Sequence, residues 1–175
     1  IWKISADIQR RQPDVIGVGI YIWNRIQSFQ LIEILKKQNL KLSVVVGGPE
    51  VSFESDIVSD YTVIGGEGEA KWIQFLQLRQ RGETPTPETL DRWKTYGNDS
   101  PNLILPYIEE DFPKLKNRMA YIETSRGCPY LCSFCLSALD KTVRYFSEDI
   151  IRQQIERLVA CGVKTIKFID RTFNI

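Results

Sequence analysis

Apolar and polar positions follow two rhythms through residues 2–76. Trp2, Ile4 and Ile8 recur with Lys3, Asp7, Arg10 and Arg11 between them, the spacing of an amphipathic helix end. Gln12-Pro13-Asp14 breaks it. Val15-Ile16-Gly17-Val18-Gly19-Ile20 is then a continuous apolar run, the pattern of a strand buried on both faces. A loop, Tyr21-Ile22-Trp23-Asn24, leads to a helix over 28–37. A second buried strand, 42–46, ends at Gly47-Gly48-Pro49-Glu50. A short helix over 53–59 precedes a third strand at 61–64. Gly65-Gly66-Glu67-Gly68-Glu69 opens a further helix with Trp72, Ile73, Phe75 and Leu76 on one face.

Strand–helix alternation with short loops predicts an open parallel α/β sheet of the doubly wound kind. Such sheets bind ligands at the carboxyl ends of their strands. Gly47 and Gly48 let backbone approach a ligand closely, or simply make the turn. Residues 1–80 read as one domain. The rhythm is lost at Arg81-Gly82-Glu83-Thr84-Pro85-Thr86-Pro87, and 81–117 reads as a connector along the surface. Within it a short helix over 90–96, a turn at 97–101 and an extended piece at 103–106 are expected, with an exposed acidic run at 109–111. A second domain begins at 118, with a strand at 119–123 and an extended piece at 141–146. Ser147 caps a helix whose stripe is Ile151, Ile155, Leu158 and Val159, and Gly162 stops it. The strand 163–169 ends in Asp170-Arg171-Thr172-Phe173-Asn174.

Composition narrows this little. The chain has 175 residues, 43% apolar and 26% charged, as soluble globular chains do. A net charge of +1 gives no general pull toward nucleic acid or anionic lipid. No apolar run is long enough to span a bilayer, and no signal peptide is visible. The chain begins with Ile1 and stops at Ile175 just after a strand, so an internal fragment of a longer protein is expected.

The chemistry concentrates in Cys128-Pro129-Tyr130-Leu131-Cys132-Ser133-Phe134-Cys135, between a strand end and an amphipathic helix. Three thiolates in one loop can hold a metal and leave a fourth position open, whereas an iron–sulfur cluster normally takes four cysteines. A structural zinc site uses four ligands, and only Cys161 remains in a chain without His. An even count of four cysteines also permits disulfides, which belong mostly to small secreted scaffolds. Cys161, at a helix end, reads as a small core hydrophobe.

The C-x3-C-x2-C spacing of Cys128, Cys132 and Cys135 resembles the radical S-adenosylmethionine (radical SAM) enzymes. The wording Glu123-Thr124-Ser125-Arg126-Gly127-Cys128-Pro129-Tyr130 looks like the subgroup with an upstream cobalamin-binding domain. The resemblance implies a [4Fe-4S] cluster on the three cysteines, whose open iron chelates S-adenosylmethionine. It implies reductive cleavage to a 5′-deoxyadenosyl radical, and in some members methylation of an unactivated carbon by way of cobalamin. It places Phe134 near the adenine, Asp170 at the methionine amino group, Asn174 in the same segment, and Arg126 and Gly127 as shapers of the loop, while by themselves Asp170 equally reads as a strand-end cap of the next helix and Arg126 as an ordinary surface ion pair. The loops holding Tyr21, Trp23, Asn24, Gly47, Gly48, Pro49, Glu50, Gly65, Glu67 and Gly68 look like those that line cobalamin in that subgroup. The familiar D-x-H-x-x-G motif is missing, and the chain has no His to offer cobalt.

The fold implied is a Rossmann-like (flavodoxin-like) cobalamin-binding domain, incomplete at its N-terminus. The first β/α unit of a radical SAM partial TIM barrel, 118–175, follows it. The resemblance implies the class of cobalamin-dependent methyltransferases, and the fragment itself is expected to be inactive because the later barrel strands are not in it. Expected partners are a small-molecule substrate and an electron donor such as flavodoxin or ferredoxin, in the cytoplasm, with neither nucleic acid nor membrane. A rival reading is a non-catalytic Fe–S or cobalamin-binding sensor or electron-transfer module, which would favour a fourth cysteine ligand.

Overall fold

The computed structural model describes residues 1–52, 61–94, 106–139 and 142–173. The chain divides into two compact units, Ile1–Asp99 and Ser100–Ile175. The division falls inside the stretch expected as a connector. The helix expected over 53–59 and the turn and extended piece at 97–105 lie outside the described residues.

In the first unit, helix α1 (Trp2–Arg11) leads to strand β1 (Val15–Gly19). Gln12, left-handed at φ 49°, ends α1 by donating its N–H to the carbonyls of Ile8 and Gln9. Helix α2 (Arg25–Gln38), strand β2 (Ser43–Gly47), a single turn α3 (Pro49–Ser52), strand β3 (Thr62–Ile64) and helices α4 (Glu69–Gln80) and α5 (Pro87–Lys94) follow. The strands lie in the order β1-β2-β3, all parallel, with Gly19 opposite Gly47 and Gly47 opposite Ile64. Three carboxyl ends therefore share one edge.

The pleat of β2 sorts its valines. Val44 and Val46 pack with Ile32, Leu35, Val51 and Val63 on one face. Val45 packs with Ile64, Phe75 and Trp93 on the other. Each fully buried Leu or Ile here contributes about 1.5–3 kcal/mol of burial free energy. In β1, Val15, Ile16 and Val18 are only half-buried, because it bonds to β2 alone and lies at the edge of the described sheet.

Two expectations are corrected. Trp72 and Phe75 of α4 face the core, ring centroids 5.7 Å apart, but Ile73 and Leu76 face outward. Lys71 is buried in their stead, at 4% exposure. The segment after α4 is also not a surface strap. Trp93 of α5 is 1% exposed, meets Phe75 edge-on at 6.2 Å, and donates its indole N–H to Gln74 Oε1 at 3.0 Å. Its apolar area belongs to the first unit's core.

In the second unit a 3-10 turn (Phe112–Leu115) precedes strands β4 (Met119–Ile122) and β5 (Ser125–Arg126). A further 3-10 turn (Leu136–Leu139), strand β6 (Arg144–Tyr145), helix α6 (Glu148–Ala160) and strand β7 (Thr165–Phe168) complete it. β4 and β7 pair in parallel, and β5 and β6 antiparallel. Phe112, Ala120, Ile122 and Leu158 form the core. Ser147 stands at the N-cap of α6, yet its side chain makes no capping hydrogen bond. Val159 faces out of the expected stripe and Gln154 is buried instead. Gly162, at φ +84°, ends the helix as expected.

Candidate functional site

The edge where β1, β2 and β3 end is tied together by its own loops. Ile20 donates its N–H to Gly47 O at 2.7 Å, and Glu50 donates its N–H to Ile20 O at 3.3 Å. Gly48 sits at φ +101°, and a Cβ there would lie 2.6 Å from Ile20 O, so only glycine fits. Ser52 Oγ donates to Gly48 O at 2.8 Å and accepts from Gly66 N at 3.1 Å, joining the second and third loops. Gly65 donates to Trp93 O at 2.9 Å, and the buried Lys71 Nζ donates to Gly65 O at the same distance.

The residues expected to line a cofactor divide accordingly. Asn24 turns inward, accepting from Tyr21 N at 2.8 Å and donating to Gly19 O at 2.9 Å. Glu50 pairs with Arg25 at 3.1 Å. Gly65 is buried under α5, while Gly47, Gly48, Pro49, Glu67 and Gly68 are half-buried. Tyr21 and Trp23 stack at 4.8 Å, and Trp23 stays 73% exposed with Ile22 and Ile26 exposed beside it. Exposed apolar and aromatic surface beside a glycine-rich strand edge suits a large planar ligand.

The cysteine loop begins where β4 gives way to β5. Gly127, at φ +92°, has no room for a Cβ, which would stand 1.8 Å from Thr142 O. Arg126 is held by Glu123, Nε to Oε2 at 2.8 Å, with its guanidinium 5.6 Å above the Phe146 ring. It braces the β5–β6 ribbon. Cys128 is buried, while Cys132 and Cys135 are exposed. Phe134, between them, is 91% exposed. The Cys135 thiol is held below its usual range by the backbone N–H and hydroxyl of Ser137, against some desolvation, with Arg171 and the Ala138 amide adding to the effect. A lower thiol value favours the thiolate, the form that binds metal.

Among the described residues no three His, Cys, Asp or Glu side chains converge on a single ion. A cluster spreads its irons over separate thiolates, so one buried and two exposed thiols on one loop suit its donor chemistry. Cys161 stands elsewhere. Its Sγ donates to Leu158 O at 3.1 Å, and it packs against the core of Phe112 and Leu158. The next residue, Gly162, accepts from Asn117 N just before β4 begins. Cys161 therefore lies at the amino ends of β4 and β7, opposite the cysteine loop.

Asp170 follows β7. Its Oδ1 accepts from Thr124 N at 3.0 Å, Thr124 Oγ1 at 2.7 Å and Ser125 Oγ at 2.7 Å. Desolvation works to raise its carboxyl value, but the Thr124 and Ser125 hydroxyls and amides outweigh it and bring it below the usual range. Oδ2 is buried without a partner among the described residues. Thr172 Oγ1 lies 3.1 Å from Cys128 Sγ. Asn174 lies outside the described residues. The sequence reading missed Thr172, Lys71 and the bridge made by Ser52. Each is an ordinary residue given its role by a partner distant in the chain.

No protein-family model matches the chain. Its sequence is 29% identical to the cobalamin-dependent radical SAM methyltransferase TokK of Streptomyces tokunonensis, over 94% of this chain and 28% of that one. It is 26% identical to an uncharacterized methyltransferase of Pyrococcus horikoshii, PH0819, over 98% of this chain and 42% of that one. The chain thus spans less than half the length of these relatives. Its fold is similar to that of the cobalamin-dependent S-adenosylmethionine radical enzyme OxsB, with TM-score 0.66 and 19% identity, covering 98% of this chain and 27% of that one. The chain is thus similar in sequence to a cobalamin-dependent radical SAM methyltransferase, and its α/β architecture with parallel sheets is similar to that of a cobalamin-dependent S-adenosylmethionine radical enzyme.

Proposed function

We propose that the chain carries the cobalamin-binding region and the cluster loop of a cobalamin-dependent radical SAM methyltransferase. The first unit is then a flavodoxin-like cobalamin domain, and the second the opening β/α unit of a partial barrel. The observation that carries the reading is the placement of Cys128, Cys132 and Cys135 at the carboxyl end of β4, with Cys161 at the opposite end. Three cysteines on hand and none to close the set leave one iron of a [4Fe-4S] cluster for S-adenosylmethionine. An electron-transfer module would favour a fourth cysteine at the loop, so the same placement weighs against the rival reading.

Cys128, Cys132 and Cys135 would hold the cluster. Tyr21, Trp23 and the loops at Gly47–Glu50 and Gly65–Gly68 would hold cobalamin, with no imidazole from this chain to reach cobalt. When bound, these groups supply the electron for cleaving S-adenosylmethionine and the carrier for a methyl group. The protein's own part is positional. Gly127 lets the loop turn tightly against Thr142, and Asp170 fastens Thr124 and Ser125 at the loop's entrance. Phe134, unpacked by protein, is free to cover an adenine face. An unactivated carbon in a small-molecule substrate is the methyl acceptor, and a flavodoxin or ferredoxin the electron source.

The test is anaerobic reconstitution of the full-length protein with iron and sulfide, followed by electron paramagnetic resonance with and without S-adenosylmethionine. A cubane signal that changes on adding S-adenosylmethionine supports the reading. An unchanged signal, or no cluster, refutes it.

A further inference from the structure

All three residues that follow Ile169 act on the cysteine loop. Asp170 fastens Thr124 and Ser125, Arg171 places positive charge near Cys135, and Thr172 reaches Cys128. The last contact differs in kind from the others. Cys128 alone of the three thiols is buried, at 8% exposure, so water does not readily replace a protein donor there. Cys132 and Cys135 are exposed and have water available. The separation of 3.1 Å between Thr172 Oγ1 and Cys128 Sγ fits a hydrogen bond to sulfur. A metal-bound thiolate has no proton to give, so in that state the hydroxyl must donate. Phe173, next in the chain, is packed on Phe168 of β7 with ring centroids 4.9 Å apart, which helps keep Thr172 in place.

We propose that Thr172 is a positioning residue that donates its hydroxyl to the Cys128 thiolate and raises the reduction potential of the cluster Cys128 helps to hold. The inference rests on the cluster reading above. Reduction adds negative charge that is shared by the ligating sulfurs. A fixed donor at one sulfur stabilises the reduced form more than the oxidised form, and hydrogen bonds to sulfur are among the factors that set cluster potentials. Valine has nearly the shape of threonine without its hydroxyl, so Thr172→Val removes the bond with little change in volume.

The experiment compares wild type, Thr172→Val and Thr172→Ser in the full-length protein after anaerobic reconstitution. Iron per chain is measured, and midpoint potentials are read by redox titration followed by electron paramagnetic resonance. The expected result is a more negative midpoint for Thr172→Val and the wild-type midpoint for Thr172→Ser. A Thr172→Val midpoint equal to wild type overturns the inference while the cluster reading stands. So does a Thr172→Ser midpoint displaced as far as that of Thr172→Val. If Thr172→Val takes up no cluster, Thr172→Ala removes the same hydroxyl without the branched side chain. Cluster loss in Val and Ala but not Ser supports the hydroxyl's role, and loss in all three overturns it. A wild type that assembles no cluster removes the cluster reading, and this inference with it.

Discussion

Replacing Gly127 with alanine tests whether the cysteine loop is as tightly built as its geometry implies. Gly127 has φ +92°, where an L side chain costs about 1–2 kcal/mol. That is the smaller part of the effect. The new Cβ would lie 1.8 Å from Thr142 O, and the carbonyl must retreat by about 1.2 Å to reach the 3.0 Å that real Cβ atoms respect. Thr142 leads directly into β6, which pairs Ser125 with Tyr145 and Arg126 with Arg144. The neighbouring Phe146 N–H bonds Thr124 O at 3.0 Å. Losing two or three such bonds adds about 0.5–1.5 kcal/mol each. The expected destabilisation is about 2–6 kcal/mol in urea unfolding of the second unit. Gly162→Ala is the internal control. It has nearly the same dihedral, φ +84°, but its Cβ would meet only Lys116 Cγ at an ordinary 3.5 Å. It should lose about 1–2 kcal/mol, the conformational cost alone. Equal losses for the two variants would refute the reasoning, because the clash with Thr142 would then contribute nothing.

Three further predictions follow from the same structure. Cys161→Ser should leave iron and sulfide content per chain at the wild-type level, since Cys161 stands at the far end of the strands from the loop; loss of the cluster would restore the four-cysteine carrier. Asp170 contributes stability above its ordinary carboxyl value of 3.8 that is lost as pH falls toward its lower folded value, so the gap between wild type and Asp170→Asn should shrink below about pH 3.8. Urea unfolding across pH 2–6 reads this, and a gap independent of pH would count against the clamp. Ser52→Ala removes the bridge between Gly48 O and Gly66 N and should cost about 1–3 kcal/mol by urea unfolding of the first unit. Cobalamin retention on gel filtration should fall in parallel.

Much of the architecture could be read from local signals. The runs at 15–20, 42–46 and 61–64 hold strands because each is rich in β-branched residues, which suit a pleated sheet, although β1 at the edge is only half-buried. The cysteine motif was legible because three thiols in one loop need no long-range information to be recognised. What escaped depended on partners far along the chain. Trp93 lies in a proline-flanked stretch that reads as a linker, and only the pocket against Phe75 makes it core. Lys71 carries no local sign of burial, since lysine is normally exposed, but the carbonyl of Gly65 holds its ammonium inside the fold. Asp170 was expected to meet a ligand, and one of its oxygens instead serves Thr124 and Ser125, which stand forty-six and forty-five residues earlier. No periodicity within either segment reports such a pairing.

The grip of Asp170 and Thr172 on the cysteine loop has a consequence for how the protein is made. Synthesis runs from the amino terminus, and domains form as their segments emerge. The thiols at 128, 132 and 135 leave the ribosome before the residues that fasten their loop, more than thirty positions on, have emerged. During that interval the loop has neither its anchor at Thr124 nor the hydroxyl at Cys128. The loop takes its fixed geometry only once β7 has docked beside β4 and brought Asp170 and Thr172 to it.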